Sequence, residues 1–313
     1  INEYENKSEL EIEKEIIKNC IVEDIGGFLV ASAAPEHSTS KNKASTESAA
    51  KGKNEEKSDK ERGKMVRRTS IVQFSYMIPT LDGIDSGAST TDVQMQVRMA
   101  NNAQNFATSL GYSNPIQAPY NKEIASSTYS FMVNLDLDGI GYSSYTNENI
   151  IEEEERNRRI DLIFKALKLL LDGNFGAGKS RYNPFILTEL VLLSVSKGPA
   201  LFTVSPPSLR MDDFILETVE RAKSYMKEIQ ALSIHLYLWI NEAAEIKSRV
   251  ERLIEGLINK KNTDGETNIG LKEYSPKIDD KRELKITIIS SRSVGELIQA
   301  IQNELKSQKQ EQK

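Results

Sequence analysis

A stretch of 30 residues inside the chain carries almost no side chain that could anchor a hydrophobic core. Residues 36–65 lack Val, Ile, Leu, Phe, Tyr and Trp, and they hold eight basic and six acidic side chains. Such a segment cannot bury enough apolar surface to offset the entropy lost on ordering. Because apolar patterns stand on both sides of it, we predict a mobile loop within one folded domain rather than a boundary between two domains.

Outside this stretch, strand and helix patterns follow one another in no regular order. Strands are predicted where apolar and polar residues alternate, and helices where apolar residues recur every three or four positions. The predicted strands are residues 28–31, 72–78, 93–99, 123–137, 185–195, 233–240 and 284–289. The predicted helices are residues 8–22, 149–171, 212–229 and 243–259, with a last helix opened by the capping box of Ser293 and Glu296. We expect the strand at 185–195 to be buried on both faces and residues 260–282 to form a polar linker. This irregular order favours an α+β fold over a doubly wound sheet.

Composition removes several classes of function. The chain has one cysteine and two histidines, which leaves little from which to build a disulfide framework, a multi-cysteine zinc site or a serine-histidine-aspartate triad. No apolar run approaches the roughly 18–20 residues of a membrane span. A single cysteine fits a reducing compartment. We therefore expect a cytoplasmic protein, away from membranes, that uses no metal or cofactor.

The charge is nearly balanced but unevenly placed. The net charge is −5, from 41 basic and 46 acidic side chains, and residues 1–24 alone hold eight acids and three lysines. Mild acidity argues against a protein that coats nucleic acid by bulk charge. It leaves room for a local basic groove, because steering depends on where the charge lies.

The string Gly173–Ser180 satisfies the Walker A pattern G-x-x-x-x-G-K-[ST], which on its own predicts ATP or GTP binding. Such a loop needs a strand before it and a helix after it, so that the helix N-terminus faces the phosphates. Here a predicted helix precedes the string, and Pro184 and a predicted strand follow it. This order disfavours a nucleotide site. Lys179 and Arg181, after three glycines, still predict phosphate binding, and a nucleic-acid backbone fits as well as a nucleotide.

Two other segments carry candidate nucleic-acid ligands. Arg67 and Arg68 lie where the apolar-free loop re-enters a predicted strand, a position that favours a fixed site over a solvated charge run. The strand at 93–99 presents Val93, Met95, Val97 and Met99 on one face and Gln94, Gln96 and Arg98 on the other. Because alternate side chains point to opposite faces, we predict a buried apolar face and an open polar one. An ordinary solvated sheet face explains the polar row equally well.

Five ordered motifs resemble the crRNA-binding backbone subunit of type I CRISPR Cascade complexes, above all the archaeal type I-A branch of that DevR-like family. The motifs are Asp24–Phe28, Val66–Ser70, Tyr76–Pro79, Gln117–Asp136 and Gly173–Arg181. The likeness covers residues 10–35 and 65–200 well and the rest loosely. Five motifs in order make it far more specific than the Walker-like string alone.

The resemblance implies a single domain, residues 1–313, with an RNA-recognition-motif-like (ferredoxin-like) antiparallel core and inserted helical and loop subdomains. Residues 36–65 would be its mobile loop, 206–282 a helical and strand insertion or peripheral part, and 306–313 a polar tail. It also implies a non-catalytic protein that polymerises along guide RNA. In that family, loops grip the RNA backbone and a hairpin thumb kinks it, which leaves bases free to pair. The implied partners are crRNA, target DNA, copies of the chain and other Cascade subunits.

The cationic motifs and the resemblance together assign a set of residues to RNA binding. They are Arg67, Arg68, Thr69, Ser70, Gln96, Arg98, Asn174, Lys179, Ser180 and Arg181. Arg68 and Arg98 would hold phosphates, while Gln96, which replaces a histidine of close relatives, would make a neutral hydrogen bond. The family's first core strand and helix would precede Ile1, so we expect a missing N-terminal segment. A P-loop NTPase and a DevR-type transcriptional autoregulator are the alternatives left open.

Overall fold

The structure is a computed structural model that describes most of the chain. The described residues are 7–31, 65–85, 90–99, 117–174, 186–205, 210–244, 246–258, 271–278 and 282–310. The chain divides into two compact units. The first comprises Ile1–Gln73 and Val133–Leu170, and the second comprises Phe74–Met132 and Leu171–Lys313.

Helices and small sheets are mixed, so the fold is α+β, as the sequence predicts. The helices are α1 (Glu9–Asn19), α2 (Ile21–Gly26), α3 (Leu81–Asp85), α4 (Glu153–Leu171), α5 (Met211–Glu228), α6 (Lys247–Ile258) and α7 (Gly295–Gln310). The strands are β1 (Phe28–Ala31), β2 (Met65–Arg68), β3 (Val72–Phe74), β4 (Ile78–Pro79), β5 (Thr90–Met99), β6 (Gln117–Ser126), β7 (Tyr129–Ser130), β8 (Val133–Leu135), β9 (Tyr142–Ser143), β10 (Glu148–Asn149), β11 (Leu190–Lys197), β12 (Ser233–Asn241), β13 (Leu271–Tyr274) and β14 (Lys285–Ser291). None of the described helices combines the length and apolar character that crossing a membrane requires.

The first unit is built around α1 and a two-stranded ribbon. A capping box opens α1, since the Ser8 hydroxyl accepts from the backbone N–H of Glu11 and the Glu11 carboxylate accepts from the backbone N–H of Ser8. Ile12 and Ile16 of the helix pack against Val66 of β2, and the partly buried Phe28 and Val30 of β1 pack against this cluster. β1 and β2 pair antiparallel, so Met65 opens a strand rather than closing the predicted 36–65 loop. The rest of that predicted loop falls almost wholly on residues outside the described ranges.

A second small core in the first unit lies under α4. Ile163 of this helix is buried together with Ile71 and Ile140. The predicted helix over 149–171 is therefore confirmed, although it begins four residues later, at Glu153.

The second unit contains the main sheet, in the order β11–β12–β14–β13. β12 pairs antiparallel with β11 and parallel with β14, and β13 pairs antiparallel with β14. Alternate side chains of β12 point to opposite faces of the sheet, and different helices cover the two faces. One face, with Leu236 and Leu238, packs against α5 and α6. The other face, with His235 and Tyr237, contacts Glu304 of α7.

Several predicted boundaries in the second unit need correction. Residues 206–282, interpreted as an insertion or peripheral part, supply β12, which lies in the middle of the main sheet. The predicted polar linker at 260–282 includes β13, and α7 extends through Gln310 into the predicted polar tail. The apolar run at 185–195 is not a strand buried on both faces. The strand begins at Leu190 and is half-buried, and among the described strands it pairs with β12 alone.

A long hairpin of β5 and β6 also belongs to the second unit, pairing from Thr90–Ser126 to Met99–Gln117. The predicted strand is confirmed, but the described part of its apolar face is not buried, since Val93 is 56% and Met95 74% exposed. For these two side chains the prediction of burial was wrong, because alternation alone does not tell which face another layer covers.

Candidate nucleic-acid interface

The β1–β2 ribbon separates the two adjacent arginines onto opposite faces. Strand alternation turns Val66 and Arg68 inward and leaves Met65 and Arg67 exposed. On β1, Leu29 lies opposite Arg67 and is exposed as well. The outer face of the ribbon, defined by Leu29, Ala31, Met65 and Arg67, is therefore apolar with one cation.

Arg68 is fully engaged inside the first unit. Its side chain is only 6% exposed. Nη2 donates to Asp24 Oδ1 at 2.5 Å and to the Gly139 carbonyl at 2.6 Å. Nη1 donates to the Tyr142 carbonyl at 2.7 Å, and Nε donates to the Asp24 carbonyl at 2.9 Å. All three guanidinium nitrogens have internal acceptors, so the structure argues against the predicted phosphate contact by Arg68.

The carboxylate of Asp24 is buried and binds a second arginine. Arg159 of α4, also buried, donates from Nη1 to Asp24 Oδ2 at 2.7 Å and to the Ile17 carbonyl at 2.8 Å. The backbone N–H of Gly141 donates to both carboxylate oxygens, at 3.1 and 3.2 Å. Glu155 accepts from Arg159 Nε at 3.0 Å, and this hydrogen bond holds the pKa of the Glu155 carboxyl below its ordinary value. Asp24, Arg68 and Arg159, with Glu155, form what we name the Asp24 clamp.

Gly27 brings the chain close to β2. Its φ is +77°, in the region that favours glycine, and a Cβ there would lie 2.6 Å from the Arg68 carbonyl oxygen and 2.7 Å from the Ser70 nitrogen. The Ser70 hydroxyl donates to the Val72 carbonyl at 2.6 Å. Ser70 thus stabilises its own turn, whereas Thr69 is exposed. Gly27 and Ser70 therefore determine the backbone conformation at the end of β2 and are not themselves assigned as RNA ligands.

Among the candidate ligands at the end of β2, Arg67 is a cation whose side chain can still bind a ligand. Its side chain is exposed and makes no hydrogen bond or ion pair with any residue that the structure describes. A guanidinium in this setting can bind a phosphate, and the apolar neighbours Leu29 and Met65 can cover a sugar or base. Thr69, one residue beyond Arg68, adds an exposed hydroxyl.

Two polar residues of the β5–β6 hairpin are not free. Gln96 is half-buried and Gln94 is exposed, and each already takes part in an interaction. The backbone of Arg98 pairs with Ala118, but its side chain lies outside what the structure describes.

The Walker-like string follows the C-terminal end of a helix. α4 ends at Leu171, and Gly173, with φ +73°, terminates it. Asn174 is exposed, whereas Lys179, Ser180 and Arg181 lie outside the described residues. The string therefore follows the negative end of a helix dipole along the chain, whereas a P-loop precedes the positive end of a helix.

A polar cluster under α7 was missed in the sequence. Thr287 Oγ1 lies 2.8 Å from His235 Nε2, and His235 Nδ1 lies 3.1 Å from Glu304 Oε2. This has the connectivity of a hydrolytic triad, yet Thr287 is only 5% exposed in the middle of a sheet under a helix, where no substrate reaches it. Tyr237 also donates to Glu304, and burial raises the pKa of the Tyr237 phenol. The cluster fixes α7 to the sheet. Its members are 52 and 69 positions apart, so no local pattern reveals them.

Comparison with known proteins gives one family and several archaeal relatives. The family described as CRISPR-associated negative auto-regulator DevR/Csa2 matches residues 2–219. A protein of Saccharolobus solfataricus, named CRISPR-associated aCascade subunit Cas7/Csa2 2, is 30% identical over 254 residues, which cover 79% of this chain and 65% of the relative. A protein of Methanocaldococcus jannaschii, named CRISPR-associated protein Cas7/Cst2/DevR, is 28% identical over 80% of this chain and 68% of its own length. The match thus spans a little under two thirds of the first relative.

Proposed function

The chain belongs to the DevR/Csa2 family of CRISPR-associated proteins, and from this premise we propose that it is a crRNA-binding backbone subunit of a type I Cascade complex. The match over residues 2–219 carries the proposal, together with a relative named as an aCascade subunit. That name favours an assembly role over a transcriptional autoregulator. The proposed role is non-catalytic, cytoplasmic and part of antiviral defence. It involves copies of the chain along one guide RNA, other Cascade subunits, and target DNA paired with the guide.

The main sheet of the second unit does not have the strand directions of the predicted ferredoxin-like core. All four strands of a ferredoxin-like sheet are antiparallel, and its two helices cover one face. Here the central strands β12 and β14 are parallel, and α6 and α7 lie on opposite faces. The main sheet is therefore mixed, and we do not assign the RNA-recognition-motif-like core to it.

The covered sheet supports RNA binding at loops and strand ends. Typical RNA-recognition motifs stack bases on an open sheet face. In this chain, α5 and α6 pack on one face of the main sheet, and α7 contacts the other through Glu304. We therefore propose that Arg67, Thr69, Asn174 and the loop cations Lys179 and Arg181 hold the RNA. Contacts of this kind go to phosphate and sugar, which suits a subunit that must accept any guide sequence.

We further propose that the β5–β6 hairpin is the thumb that kinks the guide RNA. Its exposed Val93 and Met95 give it an apolar flank. Apolar side chains inserted between bases unstack them without reading sequence. Gln96 and Arg98 would add polar contacts on the same strand.

Purification without nuclease tests the proposal. The recombinant chain should elute with a high ratio of absorbance at 260 nm to 280 nm. Nuclease treatment should lower that ratio and break large assemblies into small ones, and the released RNA should be of mixed sequence. RNA-free protein that also fails to bind added single-stranded RNA would refute the proposal. Saturable binding of ATP-Mg, lost in Lys179→Ala, would instead support the P-loop alternative.

A further inference from the structure

We propose that the buried carboxylate of Asp24 is a positioning group for RNA binding, because it holds Arg68 inside the first unit and thereby fixes Arg67 and Thr69 on the outer side. The inference rests on the proposed function, since Arg67 and Thr69 are among the RNA ligands proposed there. Asp24 itself contacts no RNA, because it is fully buried.

The first step is geometric. Arg68 is the last residue of β2, and Arg67 and Thr69 flank it in the chain. Alternation turns the Arg67 side chain away from the side that Arg68 faces, and both Arg67 and Thr69, the first residue after the strand, are exposed. Whatever anchors Arg68 therefore sets where its two neighbours project. β2 has only four residues, so its ladder with β1 is a weak constraint at that end.

The second step is the strength of the anchor. Arg68 is tied to the carboxylate of Asp24 and to three backbone carbonyls, those of Asp24, Gly139 and Tyr142. These acceptors come from α2, from the turn between β8 and β9, and from the first residue of β9. Arg68 thus joins the strand end to two other parts of the same unit.

The third step is charge balance. The clamp holds two guanidinium groups, Arg68 and Arg159, and two carboxylates, Asp24 and Glu155. Asp24 is the one that binds both arginines. Without its charge, two buried or nearly buried cations would share one half-exposed carboxylate and repel each other. Arg68 would then leave its site, and the strand end that carries Arg67 would move with it.

A double-mutant cycle on the full chain tests this coupling. The variants are Asp24→Asn, Arg67→Ala and both together, and the probe is a fluorescent single-stranded RNA of mixed sequence. Arg67→Ala should weaken binding about tenfold or more, because it removes a charge-assisted contact. Asp24→Asn should weaken it by a similar factor. In the Arg67→Ala background, Asp24→Asn should change affinity by less than about twofold, because the charged group it positions is gone and only the neutral hydroxyl of Thr69 remains.

Two controls separate positioning from general loss of stability. Ile163→Ala removes a buried side chain of the same unit without touching the clamp, and it should bind RNA like the parent at temperatures where it is folded. If Asp24→Asn does not fold, Arg68→Lys replaces it in the cycle, since lysine keeps the charge but cannot bond the Asp24 carboxylate and the three carbonyls together. The same non-additivity is expected.

The outcomes are distinguishable. Parental RNA affinity in Asp24→Asn, or losses that add in the double variant, would overturn the positioning role while leaving the proposed function intact. Loss of affinity in Ile163→Ala equal to that in Asp24→Asn would overturn it as well. A parent chain that binds no RNA would refute the proposed function itself.

Discussion

The two adjacent arginines should differ sharply in what their removal does to folding. Arg68→Ala leaves Asp24 with one cation fewer and three carbonyls without their donor, so we expect the free energy of unfolding to fall by about 3–5 kcal/mol. Arg67→Ala removes an exposed side chain and should change it by less than about 0.5 kcal/mol. Urea unfolding measures both. Equal effects would mean that Arg68 is not the buried partner.

Sequence reasoning found this pair but could not divide its roles. Arg67 and Arg68 are chemically identical, and only the partner of one of them tells them apart. That partner, Asp24, lies 44 residues upstream of Arg68. Arg159, the other arginine that binds Asp24, lies 135 residues downstream of Asp24. Because a buried ion pair across such separations leaves no local pattern, the sequence marked both arginines as RNA ligands.

Tyr237 should make the stability of the second unit sensitive to alkali. Burial and the hydrogen bond to Glu304 raise the pKa of this phenol above its ordinary value of about 10. A raised pKa means that the folded state holds the proton more tightly than the unfolded chain. The resulting stabilisation is therefore complete below about pH 10 and is lost as the pH rises further.

Comparison with Tyr237→Phe isolates this contribution. Between about pH 9 and about pH 11, the urea midpoint of the parent should fall more steeply than that of the variant, which has no phenol to ionise at this position. Other tyrosines titrate in both proteins, so their effects cancel in the difference. Parallel curves would show that the phenol is not held more tightly in the folded state.

The β5–β6 hairpin should tolerate loss of its apolar side chains without loss of folding. Val93 and Met95 are exposed, so replacing both with serine should shift the melting temperature by no more than about 2 °C. Assembly on a long RNA, followed by sedimentation, should weaken because the proposed thumb loses its apolar flank. Leu238→Ala, in the middle of the main sheet, is the matched control and should cost about 2–5 kcal/mol of stability. A large fall in melting temperature for the hairpin variant would mean that these side chains are packed.

Helices and strands with a clear hydrophobic periodicity were predicted well, but the burial of their faces was not. The helical pattern at 212–229 and the strand pattern at 233–240 reappear as α5 and β12 with small changes at their ends. The alternation of Val93 and Met95 also predicted a strand correctly, but not its exposure. Periodicity reports the local backbone, whereas burial depends on whether another layer of the fold covers that face.

The overall order of the main sheet lies beyond local patterns for the same reason. β12 pairs in parallel with β14, which follows it by some fifty residues in the chain. The short strand β13 precedes β14 in the chain and lies within the segment predicted as a polar linker. Leu271 and Tyr274 are the large apolar members of that four-residue strand, so it shows no clear alternation. The five motifs of the family resemblance do not include this region, so neither pattern nor likeness indicated the strand.

For the whole molecule, the proposed function predicts RNA binding that depends on salt and not on sequence. The chain carries a net charge of −5, so association must come from a few local cations rather than from bulk attraction. Each phosphate contact releases counterions and contributes about one unit to the slope of log affinity against log salt. Lys179→Ala with Arg181→Ala should therefore flatten that slope by about two units.

Two single-stranded RNAs of unrelated sequence and equal length give the decisive comparison. Fluorescence anisotropy over a range of salt concentrations should show the same affinity for both RNAs in the parent chain, and the same loss for both in the double variant, because phosphates are identical in every sequence. On RNAs of increasing length, the number of bound chains counted by native mass spectrometry should grow in proportion to length, as expected for a subunit that repeats along a guide. A loss confined to one of the two sequences would mean that Lys179 and Arg181 read bases. A bound number that stays at one would exclude polymerisation along the RNA.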